Sequence, residues 1–190
     1  MSAIVLVLLA VYGSARLVLW LRGQYRLMRE QKRFPCLPSR PALPQHLPTS
    51  LTRLLECCYS ERVKLVESIR AIARVLITDP DVPLGCVRDF RYRVAVFNAW
   101  AAASRWIRTV ESLDEVDRHR LAAIGFDPQS FLRSSESLGA TVRRTSRARA
   151  LEPFDVDGVR STRATINLLV RELECVESRL SSFGEHPYRA

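Results

Sequence analysis

Three sets of residues have types and spacings that could do chemistry. Glu115 and His119 stand four apart, on one face of a helix, with Asp114 and Asp117 close by. An imidazole and carboxylates so placed could hold a divalent metal. A run of acids at a helix start has a commoner purpose, which is to offset the positive end of the helix dipole. Asp155-x-Asp157-Gly158 has the opening of a calcium loop, but the twelfth position from Asp155 is Ile166, where a bidentate glutamate is needed. Helix capping by Asp157 accounts for that segment better.

The third set is basic. Arg143, Arg144, Arg147 and Arg149 lie close together, followed by Arg160 and Arg163. Guanidinium groups at this density could engage phosphates of lipid or nucleic acid, or simply face water. Arg88, Arg91 and Arg93 interleave with Phe90 and Tyr92. These aromatics are expected on the core side of their helix, which argues against base stacking and makes nucleic acid the weaker anionic partner.

Other chemistries lack their residues. The seven glycines are scattered singly, so there is no phosphate-cradling loop, and no serine sits in a nucleophile elbow. The five cysteines, Cys36, Cys57, Cys58, Cys86 and Cys175, are odd in number and match no zinc spacing. The neighbours Cys57 and Cys58 must diverge on a helix, and reduced thiols fit best. No catalytic residue, metal ligand or cofactor is expected. Of 29 basic residues only Lys32 and Lys64 are lysine, a bias that GC-rich codons explain better than selection for bidentate contacts does. The net charge of +9 favours acidic partners without choosing among them.

The elements that carry these residues read as four segments. Residues 1–22 contain the apolar stretch AIVLVLLAVYGSARLVLWL. Nineteen helical residues span roughly 28 Å, about the thickness of a bilayer core. Arg16 lies five residues from Leu21 and can snorkel to the interface, and Trp20 suits that interface. Only Met1 and Ser2 precede the span, whereas Arg22, Arg26, Arg29, Lys32 and Arg33 follow it. The positive-inside rule then places the N-terminus outside and the following domain in the cytoplasm, at an inner or plasma membrane. A cleaved signal peptide would need a basic start, and an interfacial helix a polar face.

Residues 23–48 form a basic juxtamembrane segment and a proline-rich spacer. Pro35, Pro38, Pro41 and Pro44 recur every third residue, as in a polyproline II rod of about 3.1 Å per residue. Such a rod, about 40–45 Å long, would stand the domain off the membrane. The same prolines, with Lys32 and Arg40 beside them, match a proline-rich docking pattern, but such short patterns arise easily by chance and a plain spacer explains them better.

Residues 49–184 read as an antiparallel bundle of about four helices, with a polar tail at 185–190. The first helix runs from Thr49 or Ser50 to about Ile77, before Asp79-Pro80. Its stripe is Leu51, Leu55, Cys58, Arg62, Leu65, Ile69, Ile72 and Leu76, interrupted by an arginine expected to sit at the rim or to pair with Glu172 or Glu174. The second, from Pro83 to Val110 or beyond, has two apolar stripes, Val87-Phe90-Val94-Phe97-Ala101 and Val96-Trp100-Ala103-Ile107-Val110. Two stripes imply neighbours on both sides and put the sequence VAVFNAWAAA at mid-core. A short helix over Leu113 to Ile124 and one after Asp127-Pro128, rich in serine and interrupted by Gly139, follow. The last, capped by Asp157, carries Val159, Ile166, Leu169, Leu173, Val176 and Leu180 as a coiled-coil-like seam for helix pairing.

The expected whole is an all-α, single-pass, non-enzymatic interaction or scaffold protein. Its partners would be the membrane and either another protein or a second copy of itself. Binding of anionic lipid through Arg143–Arg163 is the alternative.

Overall fold

The computed structural model describes residues 36–41, 47–77, 85–147 and 155–183, with residues 12, 14, 17 and 18. Those residues are helical or irregular, with no strand among them. The expected anchor at 1–22, its basic flank at 22–33 and the tail at 185–190 lie wholly or almost wholly outside. No helix among the described residues is long and apolar enough to cross a membrane.

Among the described residues from 36 onward five helices follow one another: α1 Thr49–Ile77, α2 Gly85–Glu111, α3 Glu115–Ala123, α4 Pro128–Arg147 and α5 Val156–Phe183. Their ends are set by local chemistry. The Asp114 carboxylate accepts the Asp117 N–H at 2.7 Å and caps α3. Gly125 ends that segment at φ +82°, a backbone conformation that costs glycine little. Asp127 accepts the Gln129 N–H at 2.9 Å ahead of Pro128, which needs no hydrogen bond in the first turn. The cap of α5 is Asp155, not the expected Asp157: Asp155 accepts the Gly158 N–H at 2.8 Å. Asp157 is already inside the helix, where it pairs with Arg160. Both acids suit a cap by type, and the position at which the chain enters the helix decides between them.

The four long helices close into a ring in the order α1, α2, α4, α5, with α1 returning to α5. Cys57 meets Thr109 and Glu61 meets Arg105, so α1 and α2 are antiparallel. Ser130 reaches Glu172 near the start of α4, while Arg144 near its end shares a cleft with Gly158, so α4 and α5 are also antiparallel. Tyr92 and Thr162, each near the start of its helix, share a 2.9 Å hydrogen bond, so α2 and α5 run the same way. The result is an up-down-up-down bundle.

The heptad stripe of α5 is spent inside this bundle. Val159, Ile166, Leu169, Leu173, Val176 and Leu180 are all buried, in one core with Leu55, Leu65, Ile69 and Ile72 of α1. On α2 the buried face is rich in alanine, with Ala95, Ala99, Ala102 and Ala103; such small side chains allow helix axes to approach closely. Trp106, near the end of α2, stands edge-on to Phe126 of the α3–α4 connection with ring centroids 5.8 Å apart, and Phe126 packs in turn on Phe131.

Part of the spacer does not stand free. Tyr59 donates from its hydroxyl to the Pro38 carbonyl at 3.3 Å, and Arg40 pairs with Glu56 at 3.1 Å. Residues 36–41 therefore lie back along α1, whereas a free rod was expected there.

Candidate functional site

The residues singled out for metal chemistry are committed elsewhere. Asp114 is a cap, buried Asp117 accepts from Arg120 at 2.9 Å, and the His119 ring nitrogen lies 3.0 Å from the Glu115 carbonyl of its own helix. Among the described residues no three His, Cys, Asp or Glu side chains gather as a metal site. The two adjacent thiols diverge as expected. Cys57 meets Thr109 on α2, and Cys58 donates to the Leu173 carbonyl on α5 at 3.2 Å. Burial raises the Cys58 pKa well above its ordinary value, so the thiol stays protonated and acts as a packing group.

The basic cluster is divided by the fold. Arg143 lies beside Trp100 and Gly139 on the α2 side of α4, and Arg144 lines the cleft toward α5. Arg160 pairs with Asp157 at 3.1 Å and Arg163 is half-buried. Residue 149 and the Arg147 side chain lie outside the described structure. The cleft at Arg144, about 310 Å³, is edged by Thr141, Ser161 and Thr165.

Arg62 interrupts the α1 stripe for a reason the sequence only half shows. Its guanidinium donates to Glu177 at 2.8 Å and to Glu174 at 3.1 Å, both on α5. Glu174 was among the expected partners, whereas Glu172 instead accepts from Ser130. Arg62 and Glu177 are both buried, and Arg62 Nε and Glu177 Oε2 have no hydrogen-bond partner among the described residues. Burial raises the Glu177 pKa, against the lowering effect of Arg62. An ion pair in this setting specifies which helices meet more than it adds to stability.

A second buried acid organises the other side of α1. Glu61 is held by Arg105 of α2 through both carboxylate oxygens, at 3.1 and 3.2 Å, and by Lys64 at 2.8 Å. These cations mark one end of an open groove between α1 and α2, about 840 Å³ in volume. Buried Ser68, Val75 and Ala95 form its floor. Along its α2 side stand Phe90, 66% exposed, Val94, 40% exposed, and Phe97, 50% exposed. Phe97 leans on Trp100, with ring centroids 5.8 Å apart and planes tilted by 52°.

These three residues belong to the first of the two apolar stripes on α2, and they correct the expectation for it. Phe90 was placed on the core side and Val94 and Phe97 at mid-core, yet all three face outward. The α2 helix does have neighbours on two sides, α1 and α4, but one broad face serves both. Tyr92, expected on the core side, is buried there. The signal for an open surface was in the sequence as a stripe surplus to a four-helix bundle, in which each helix needs one apolar face.

The chain matches no protein-family model, no curated protein and no solved structure. The geometry of the groove therefore carries the functional argument.

Proposed function

We propose that this chain is a non-enzymatic helical interaction module whose docking surface is the α1–α2 groove, tethered at a membrane by the apolar segment at 3–21. The observation that carries the reading is the outward stripe of Phe90, Val94 and Phe97. A single exposed apolar side chain is ordinary, but two phenylalanines and a valine in one row beside a groove are the mark of a binding surface. The tether rests on the sequence: nineteen residues of apolar stretch, followed by a basic flank. Arg143 and Arg144 open on different clefts, which leaves the alternative of an anionic-surface binder with less support.

Site-specific photocrosslinking in native membranes tests the docking surface. A photoreactive residue replacing Phe97 in the full chain is expected to trap a protein. The same residue replacing Leu168, an exposed apolar side chain on α5, is expected to trap none. Absence of any adduct at Phe97 would overturn the reading.

A further inference from the structure

We infer that the occupant of the α1–α2 groove is an amphipathic helix of another protein, with acidic residues flanking its apolar face. This rests on the groove being a docking surface, and it adds the chemistry of the partner.

Shape is the first reason. The outward rungs Phe90, Val94, Phe97 and Ala101 are spaced four, three and four residues apart. They run about 16 Å along the axis at 1.5 Å per residue, roughly three turns. A partner helix with apolar residues at the same spacing would seat its own ridge against them, and the small side chains of Ala71, Ala95 and Ala101 leave room for it. A flat lipid surface could touch the phenylalanines but could not enter the groove.

Charge is the second reason, and it separates the candidates for occupant. Lys64, Arg74, Arg91 and Arg105 line the groove, against one acidic lining residue, Glu67. Glu61 beneath the rim takes up Lys64 and Arg105 together, so one carboxylate faces two cations and an excess of positive charge remains. Arg91 is exposed at the end beside Phe90. A second copy docking face to face would bring this rim against itself, and the like charges would repel. The chain's own apolar segment brings Arg16 and a flank of further arginines, which is again the wrong sign. A helix with Glu or Asp beside its apolar stripe satisfies both rim and floor.

The test uses the full chain in nanodiscs of zwitterionic lipid. Two labelled helical peptides share leucines at the rung spacing and differ only in flanks of Glu or Lys, and phosphatidylserine vesicles form a third probe. The Glu-flanked peptide is expected to bind about tenfold more tightly than the Lys-flanked one, an advantage that shrinks severalfold in about 0.5 M salt. Arg91→Glu is expected to narrow or reverse the preference, and Phe97→Ser to remove binding of both. Both positions are exposed, so the fold is not at stake, and circular dichroism checks that it is retained. Equal or tighter binding of the Lys-flanked peptide overturns the inference. So does self-association abolished by Phe97→Ser, which would make the occupant a second copy, or vesicle capture without peptide binding, which would make it a bilayer. If crosslinks at Phe97 persist under any of these outcomes, the acidic helix falls and the interaction module stands. If the crosslinks are absent too, both fall.

Discussion

Helices α2 and α5 are nearly equal in length, at 27 and 28 residues, and both are amphipathic, yet the bundle treats them differently. On α5 the seam from Val159 to Leu180 is buried along its whole length. On α2 the row of Ala95, Ala99, Ala102 and Trp106 is buried, while Phe90, Val94 and Phe97 remain in solvent. A helix with one stripe is satisfied by folding. A helix with two stripes is left with a surface that folding does not use, and its two phenylalanines are on that outer side while alanines, with Tyr92 and Trp106, fill the inner one. The inner face is built for close approach within the chain, and the outer face for contact with something else.

The comparison breaks most sharply at Leu169. Replacing this fully buried α5 residue by alanine is expected to cost about 2–5 kcal/mol in urea unfolding of the full chain. Phe97→Ala, which removes a larger side chain from α2, is expected to change stability by less than about 0.5 kcal/mol. A loss at Phe97 comparable to that at Leu169 would show that the outer stripe belongs to the core.

The polar part of the α1–α5 contact comes next. Arg62→Ala leaves Glu177 buried without its cation and is expected to cost about 3 kcal/mol near neutral pH. The pH dependence has a definite sign. Burial raises the Glu177 pKa above the ordinary glutamate value of 4.5, so the folded chain keeps a proton that the unfolded chain has released. This group therefore contributes a decline in stability as pH rises from about 4.5 through the folded pKa. Glu177→Gln, which does not titrate, is expected to flatten that decline in denaturation midpoints measured across the interval. A decline left unchanged would assign it elsewhere, with Glu172, also raised by burial, the first candidate.

A smaller effect sharpens how α5 begins. Asp155→Ala removes the cap and is expected to cost about 1 kcal/mol. Asp157→Ala removes an exposed ion pair on the same helix and is expected to cost at most a few tenths. Thermal melts of the two variants distinguish the assignments, and a larger loss at Asp157 would restore it as the cap.

Much of the fold was legible before the structure. The start and end of α3 and the start of α4 follow from Asp114, Gly125 and Asp127-Pro128, residues whose side chains or backbone freedom act within one turn. The α5 seam was legible because its spacing repeats over more than three heptads and only one face can be buried. The groove was not. Its apolar row was visible on α2, but a row of apolar residues does not say whether a neighbour covers it.

The sequence by itself determined the helices, the caps of α3 and α4 and the apolar stripes, because each depends on residues a few positions apart. It also carried the apolar, basic-flanked segment at 3–21 on which the proposed tether rests. Only the tertiary structure decided which face of α2 points inward, that Arg62 lies between Glu174 and Glu177, that the Arg143–Arg163 cluster splits between clefts, and that Pro38 lies along α1. Each of these depends on residues far apart in the chain meeting in space. In an all-helical chain the local pattern states what a face is made of, and the packing of the other helices states whether it is covered.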